Sequence, residues 1–143
     1  MSVPRYLNVL LSAAIVFFVL STPAFAQSGS IVAVTPKVNG SPGADFQPGD
    51  LISVLVSATG SVPTEEFVPY IFSIVLEMYD NEENPVAYAS ALIEVDPGET
   101  KNFACSVAYT VPTSEYSQGY RVDISLRIDN VPEEEDWVYF STD

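Results

Sequence analysis

The run "GYRVDISLRIDN" at 119–130 alternates without a break. Tyr120, Val122, Ile124, Leu126 and Ile128 share one parity, and Arg121, Asp123, Ser125, Arg127 and Asp129 share the other. Neighbouring side chains on an extended strand face opposite ways, so such a stretch is a strand with one face in a core and the other in water. This constraint governs the rest of the chain, because one half-buried strand needs others to cover it.

The same period recurs upstream. In "GDLISVLVSATG" the inner row is Ile52, Val54, Val56 and Ala58. In "YIFSIVLEMYD" it is Tyr70, Phe72, Ile74, Leu76 and Met78, and in "NFACSVAYTV" it is Phe103, Cys105, Val107, Tyr109 and Val111. The segment 86–95 is strand-like but its facing is ambiguous, and strands at 31–38 and 136–142 complete the set. Turn residues sit at every join: "NGSPG", "QPGD", "DNEENP", "DPGE", "VPTSEYSQG" and "NVPEEED". The span 60–68 holds a turn of helix at most. These elements predict an all-β, seven-stranded antiparallel sandwich with Greek-key connections.

The first 26 residues read as an export signal. Arg5 precedes the apolar run 10–20, Pro23 breaks it, and Ala24-Phe25-Ala26 supplies a small-x-small pattern before Gln27. The run is shorter than the roughly 20 apolar residues a spanning helix needs. Cleavage is the simpler outcome and an uncleaved N-terminal anchor the rival. The expected domain is then 27–143, with 1–26 as signal peptide, no stable membrane anchor after cleavage, and a secreted, extracellular or periplasmic location. These 117 residues (143 less the first 26) suit one domain.

The chain carries one cysteine, so no internal disulfide is available and the scaffold relies on packing. Without Arg5, four basic residues stand against 19 acidic ones, a net charge of −15. Such a surface repels nucleic acid and anionic lipid headgroups. The apolar fraction of 48 % argues against disorder despite that charge.

The run "VDPGETKNFACSVAYTVP" at 95–112, followed by "GYRVDISLRI", resembles a pattern of prokaryotic secreted immunoglobulin-like domains, the CARDB and fibronectin type III-like adhesion modules among them. Upstream, "PGDLISVLV" and "LEMYD" are similar to the second and third strands of such domains. The resemblance covers most of 27–143. It departs from antibody-type domains in lacking the cysteine pair and in placing Trp137 in the last strand. It implies an immunoglobulin-like fold with binding or spacing roles and carries no catalytic residue across.

Several residues invite a chemical reading. Cys105 as a nucleophile needs a base, and the chain has no histidine. Its parity sets it inward, between Phe103 and Val107. The missing histidine also removes Ser-His-Asp catalysis and HExxH zinc sites. Carboxylate chemistry stays open, so a small carboxylate-dependent hydrolase is an alternative.

In an antiparallel sandwich alternate loops gather at one end, which brings together the acids of 60–68, 96–100 and 129–136. Glu133, Glu134, Glu135 and Asp136 are the calcium candidates there, against a solvated acidic rim. No other cofactor is expected.

Strand 69–79 is apolar on both parities. Ile71, Val75 and Tyr79 form an outer row, explained by cover from Phe67 or the N-terminal arm, or by contact with another chain. The arm "QSGSIVAVTPKV" adding to a neighbour's sheet edge would make a filament subunit by strand exchange. Asn39-Gly40-Ser41 fits a glycosylation acceptor, although Pro42 follows and a turn alone explains it. The expected function is a non-catalytic binding or assembly module acting through protein–protein contacts, with another protein or with copies of itself.

Overall fold

A computed structural model describes residues 27–113 and 119–142. The expected signal peptide at 1–26 lies outside the described residues, as does Glu115. Nine strands follow one another: β1 (Ser28–Val38), β2 (Ser41–Pro42), β3 (Asp45–Phe46), β4 (Leu51–Ser61), β5 (Tyr70–Tyr79), β6 (Pro85–Val95), β7 (Thr100–Thr110), β8 (Gly119–Ile128) and β9 (Val131–Thr142). The expected count of seven gives way to nine. The two additions, β2 and β3, are two residues long and lie inside the turn-rich segment 39–50, where alternation over four or more residues cannot register them.

The strands form two sheets, with orders β2-β1-β4-β7 and β3-β9-β8-β5-β6. All long pairs are antiparallel, but β3 runs parallel to β9, with Asp45 opposite Ser141 and Phe46 opposite Thr142. The sheets are therefore not wholly antiparallel. The chain passes from one sheet to the other between β2 and β3, β3 and β4, β4 and β5, β6 and β7, and β7 and β8. β5 and β8 thus become neighbours although 39 positions separate their closest ends.

The core lies between the sheets. Ile52, Val54, Val56 and Ala58 of β4 and Cys105 and Val107 of β7 face Ile74, Leu76 and Met78 of β5, Val122, Ile124 and Leu126 of β8 and Phe140 of β9. Each fully buried aliphatic or aromatic side chain contributes about 1.5–3 kcal/mol. The inner rows expected on β4, β7 and β8 are the ones turned inward; on β5, Phe72 to Met78 are buried and Tyr70 is half-buried. The ambiguity of β6 resolves with Ala87, Ala89, Ala91 and Ile93 inward and Tyr88, Ser90, Leu92 and Glu94 outward.

A smaller cluster closes one end, built on Val62, Phe72, Val95 and Ile128. The Phe72 ring lies on the backbone of Gly60: a Cβ there would stand 2.6 Å from Phe72 Cδ2. Gly29 is close to the same ring.

Candidate interaction surface

Among the exposed large apolar side chains, Ile71, Tyr88, Leu92, Trp137 and Tyr139 lie on the outer face of the five-stranded sheet. Register fixes its rows. Tyr88 lies opposite Glu77, Glu77 opposite Asp123, and Asp123 opposite Trp137. One row on, Ser90, Val75, Ser125 and Glu135 align in the same way, and at the other side Tyr79, Arg121 and Tyr139. The three residues expected from sequence, Ile71, Val75 and Tyr79, thus share one face of β5, between β8 and the edge strand β6. Ile71 is 38 % exposed and the other two are half-buried.

Neither proposed cover lies over them. Phe67 is 96 % exposed and so packs on nothing. The N-terminal arm is β1, paired along its length with β4 in the opposite sheet from Ser28↔Ser61 to Val38↔Ile52.

The half-burial has local causes. The Arg121 guanidinium stands 5.0 Å above the Tyr79 ring, a cation–π contact. Two hydrogen bonds to Glu83, at 2.8 and 2.9 Å, and one to Asp123 at 2.9 Å hold that guanidinium. These carboxylates raise its pKa further, and the guanidinium holds the Glu83 carboxyl below its ordinary value. Burial pushes the Tyr79 phenol up, with Glu77 adding to it. Val75 lines a recess of about 330 Å³ together with Glu77, Ser125, Arg127, Glu135 and Trp137. Arg127 donates to Ser125 Oγ at 3.1 Å.

Around these residues stand Leu92, 71 % exposed, Tyr88, 63 %, and Trp137, 62 %. None was picked from sequence as a surface residue. For Trp137 and Tyr139 the alternation gave no signal, because Trp137, Val138, Tyr139 and Phe140 are apolar on both parities. For Tyr88 and Leu92 it gave none either, because β6 carries alanines inward and its two parities look alike.

The calcium candidates are placed differently from the expectation. The connection between β8 and β9 is not a loop over 129–136. Asp129 and Asn130 both take positive φ, 50° and 69°, and close a two-residue hairpin. The acid run therefore lies on β9, where successive carboxylates diverge. Glu134 accepts a hydrogen bond from Ile31 N at 2.8 Å, tying the edge of β1 to β9. Asp136 accepts from Trp137 N, and Glu135 borders the recess. Among the described residues no group of three or more His, Cys, Asp or Glu side chains is arranged to hold a metal.

Other acids bond turn amides, a role that sequence reasoning missed. Asp80 accepts from Glu82 N and Asn84 N, and Asp50 from Asn39 Nδ2 and Gln47 N. Asp129 accepts from Ile71 N, and Glu99 from Asp96 N. At Asp50, Asp80 and Glu99 such bonds favour the ionised form and lower the carboxyl pKa, chiefly through Asn39 at Asp50 and through the amides of Asn84 and Asp96 at Asp80 and Glu99. The short polar side chain is the physical signal, since it reaches its own backbone a few residues on.

Cys105 is buried in the main core, and desolvation raises its thiol pKa. A thiol in that setting is a poor nucleophile.

No family model matches the chain, and no curated protein matches it in sequence. Solved structures give distant likenesses. A glycosyl hydrolase family 2 member from Bacteroides cellulosilyticus is 15 % identical with a TM-score of 0.48, over 76 % of this chain and 14 % of that one. A putative beta-galactosidase from Bacteroides fragilis is 14 % identical with a TM-score of 0.49, over 74 % and 15 %. A protein from Archaeoglobus fulgidus is 18 % identical with a TM-score of 0.44, over 80 % and 98 %. The chain thus spans about one seventh of the two larger proteins. Likeness at this level carries no argument about activity, and the narrower resemblance to CARDB and fibronectin type III-like modules gains nothing from it.

Proposed function

We propose that the chain is an exported, non-catalytic contact module of immunoglobulin-like sandwich form, working at the cell surface or outside it through the outer face of its five-stranded sheet. The observation that carries this reading is the uncovered apolar set on that face: Ile71, Tyr88, Leu92, Trp137 and Tyr139, around Val75 and Tyr79. Apolar side chains gathered on one sheet face and rimmed by charge are the common signature of a protein contact.

A further observation supports contact over catalysis. The carboxylates with resolved shifts, Asp50, Asp80, Glu83 and Glu99, are all shifted down, opposite to what a general acid needs at neutral pH. Export rests on the pattern at 1–26.

Site-specific photocrosslinking in the producing cell tests the proposal. A photoreactive residue at position 137 or 92 is expected to give discrete protein adducts, and one at Ser106, exposed on β7 of the opposite sheet, to give none. Equal labelling at 106 and 137, or no adduct at either face position, would overturn it.

A further inference from the structure

The structure assigns the free edge of β6 as a self-pairing edge, joining two copies of this chain about a two-fold axis at Ser90. This inference rests on the contact-module reading and names one partner for it, a second copy.

The edges of the two sheets are not alike. Along β9 run Pro132 and four consecutive acids, 133–136, and β3 covers its end. On β1 there are Pro36, a register shift between Ile31 and Ala33, and β2 pairing at its end. The outer row of β7 offers only Ala104, Ser106 and Ala108 between polar residues. Charge, proline, bulges and short covering strands are the usual means of keeping an edge from pairing. By contrast, β6 is eleven residues long, has its one proline, Pro85, and its register shift confined to its first residues, bears one charge, Glu94, and exposes Tyr88 and Leu92. Among the described residues no strand pairs with its far edge.

The ladder shows which backbone groups face out. Ile71 N and O bond Asp129 on the β8 side, so the Ile71↔Glu94 pair exchanges no ladder bonds. The Glu94 carbonyl points away from β5 and accepts Lys101 Nζ at 3.0 Å. By the alternation of an antiparallel ladder, the N–H and C=O of Leu92, Ser90 and Tyr88 point the same way, to the open edge.

A two-fold centred on Ser90 uses these groups. Tyr88 meets Leu92 of the second copy, Ser90 meets Ser90, and Leu92 meets Tyr88, each as a pair that exchanges both bonds. The exposed aromatic and aliphatic side chains become cross-strand partners, a favourable combination. Glu94 meets Val86, and the two Glu94 carboxylates stand eight residues apart, roughly 26 Å at about 3.3 Å per residue. That exceeds the Debye length of about 8 Å at physiological salt. The remaining opposition is the net charge of each copy, so pairing strengthens as salt is added.

The test uses residues 27–143, and the register makes it specific. Directly opposed Cα atoms in a ladder lie about 4.5–5.5 Å apart, within the span of a disulfide. Ser90→Cys is expected to oxidise to a covalent dimer, while the wild type, whose thiol is buried, does not. Tyr88→Cys mixed with Leu92→Cys is expected to give a mixed disulfide dimer, with neither linking well alone. Sedimentation of the wild type is expected to show a dimer that grows with protein and salt concentration, and Leu92→Lys to abolish it with the unfolding midpoint unchanged. A wild type that stays monomeric at every concentration and salt, or a dimer in which the Tyr88→Cys and Leu92→Cys chains do not cross-link, would overturn the inference. Failure here with position-specific adducts still forming at 137 leaves the contact-module reading standing with a different partner.

Discussion

Gly60 and Phe72 illustrate how a single missing Cβ positions a large side chain. The ring of Phe72 occupies the space that an alanine at 60 would need, and Gly29 sits against the same ring. Gly60→Ala is therefore expected to destabilise the fold by about 1–3 kcal/mol, the usual range for overpacking. Urea unfolding measures it, and a variant as stable as wild type would refute the packing argument. At Glu83 the effect is electrostatic. The Arg121 pair holds its folded pKa below the ordinary 4.5, so the unfolded chain takes up the proton first. The contribution is complete above that value and lost as pH falls through the folded one. The stability gap between wild type and Glu83→Gln is thus expected to be widest near neutrality and to close in acid. A gap independent of pH would show that the pair does not act through charge.

At the scale of elements, adjacent residues of β5 separate core from outer face. Ile74 is fully buried between the sheets and Val75 lines the outer recess. Ile74→Ala is expected to cost about 2–5 kcal/mol. Val75→Ala, half-exposed, is expected to cost under about 1 kcal/mol and to act on association instead. Denaturant midpoints compared with sedimentation separate the two, and equal losses of stability would mean that the outer row is core as well. The same alternation made β4, β5, β7 and β8 legible from sequence, because each has an unambiguous apolar parity. It failed at β6, where both parities are small or mildly apolar, and at β9, whose first half carries acids on both faces. There the two-residue turn at Asp129-Asn130, not the hydrophobic pattern, sets where the strand begins.

For the whole molecule the governing quantities are a core without cross-links and a large negative charge. The single cysteine is buried, so thermal unfolding is expected at the same midpoint with and without a reducing agent. A lower midpoint on reduction would reveal a disulfide between chains. With net charge −15 on 27–143, screening relieves self-repulsion, and the midpoint is expected to rise with sodium chloride. A midpoint that falls with salt would mean that the ion pairs at Arg121 and Lys101 outweigh that repulsion.

The sequence by itself determined which side chains face inward on four of the long strands, that no internal disulfide holds them, and that the outer row of β5 is apolar. These are local properties, set by the alternation of a strand and by residue counts. Only the tertiary structure decided that neither Phe67 nor the N-terminal arm covers that row, that this arm pairs within its own chain, and that Glu134 and Asp129 bond amides far from them in sequence. Only it decided, too, that β6 stands at an edge of its sheet. Each of these depends on which strands become neighbours across dozens of residues, and no periodicity within one strand encodes its partner.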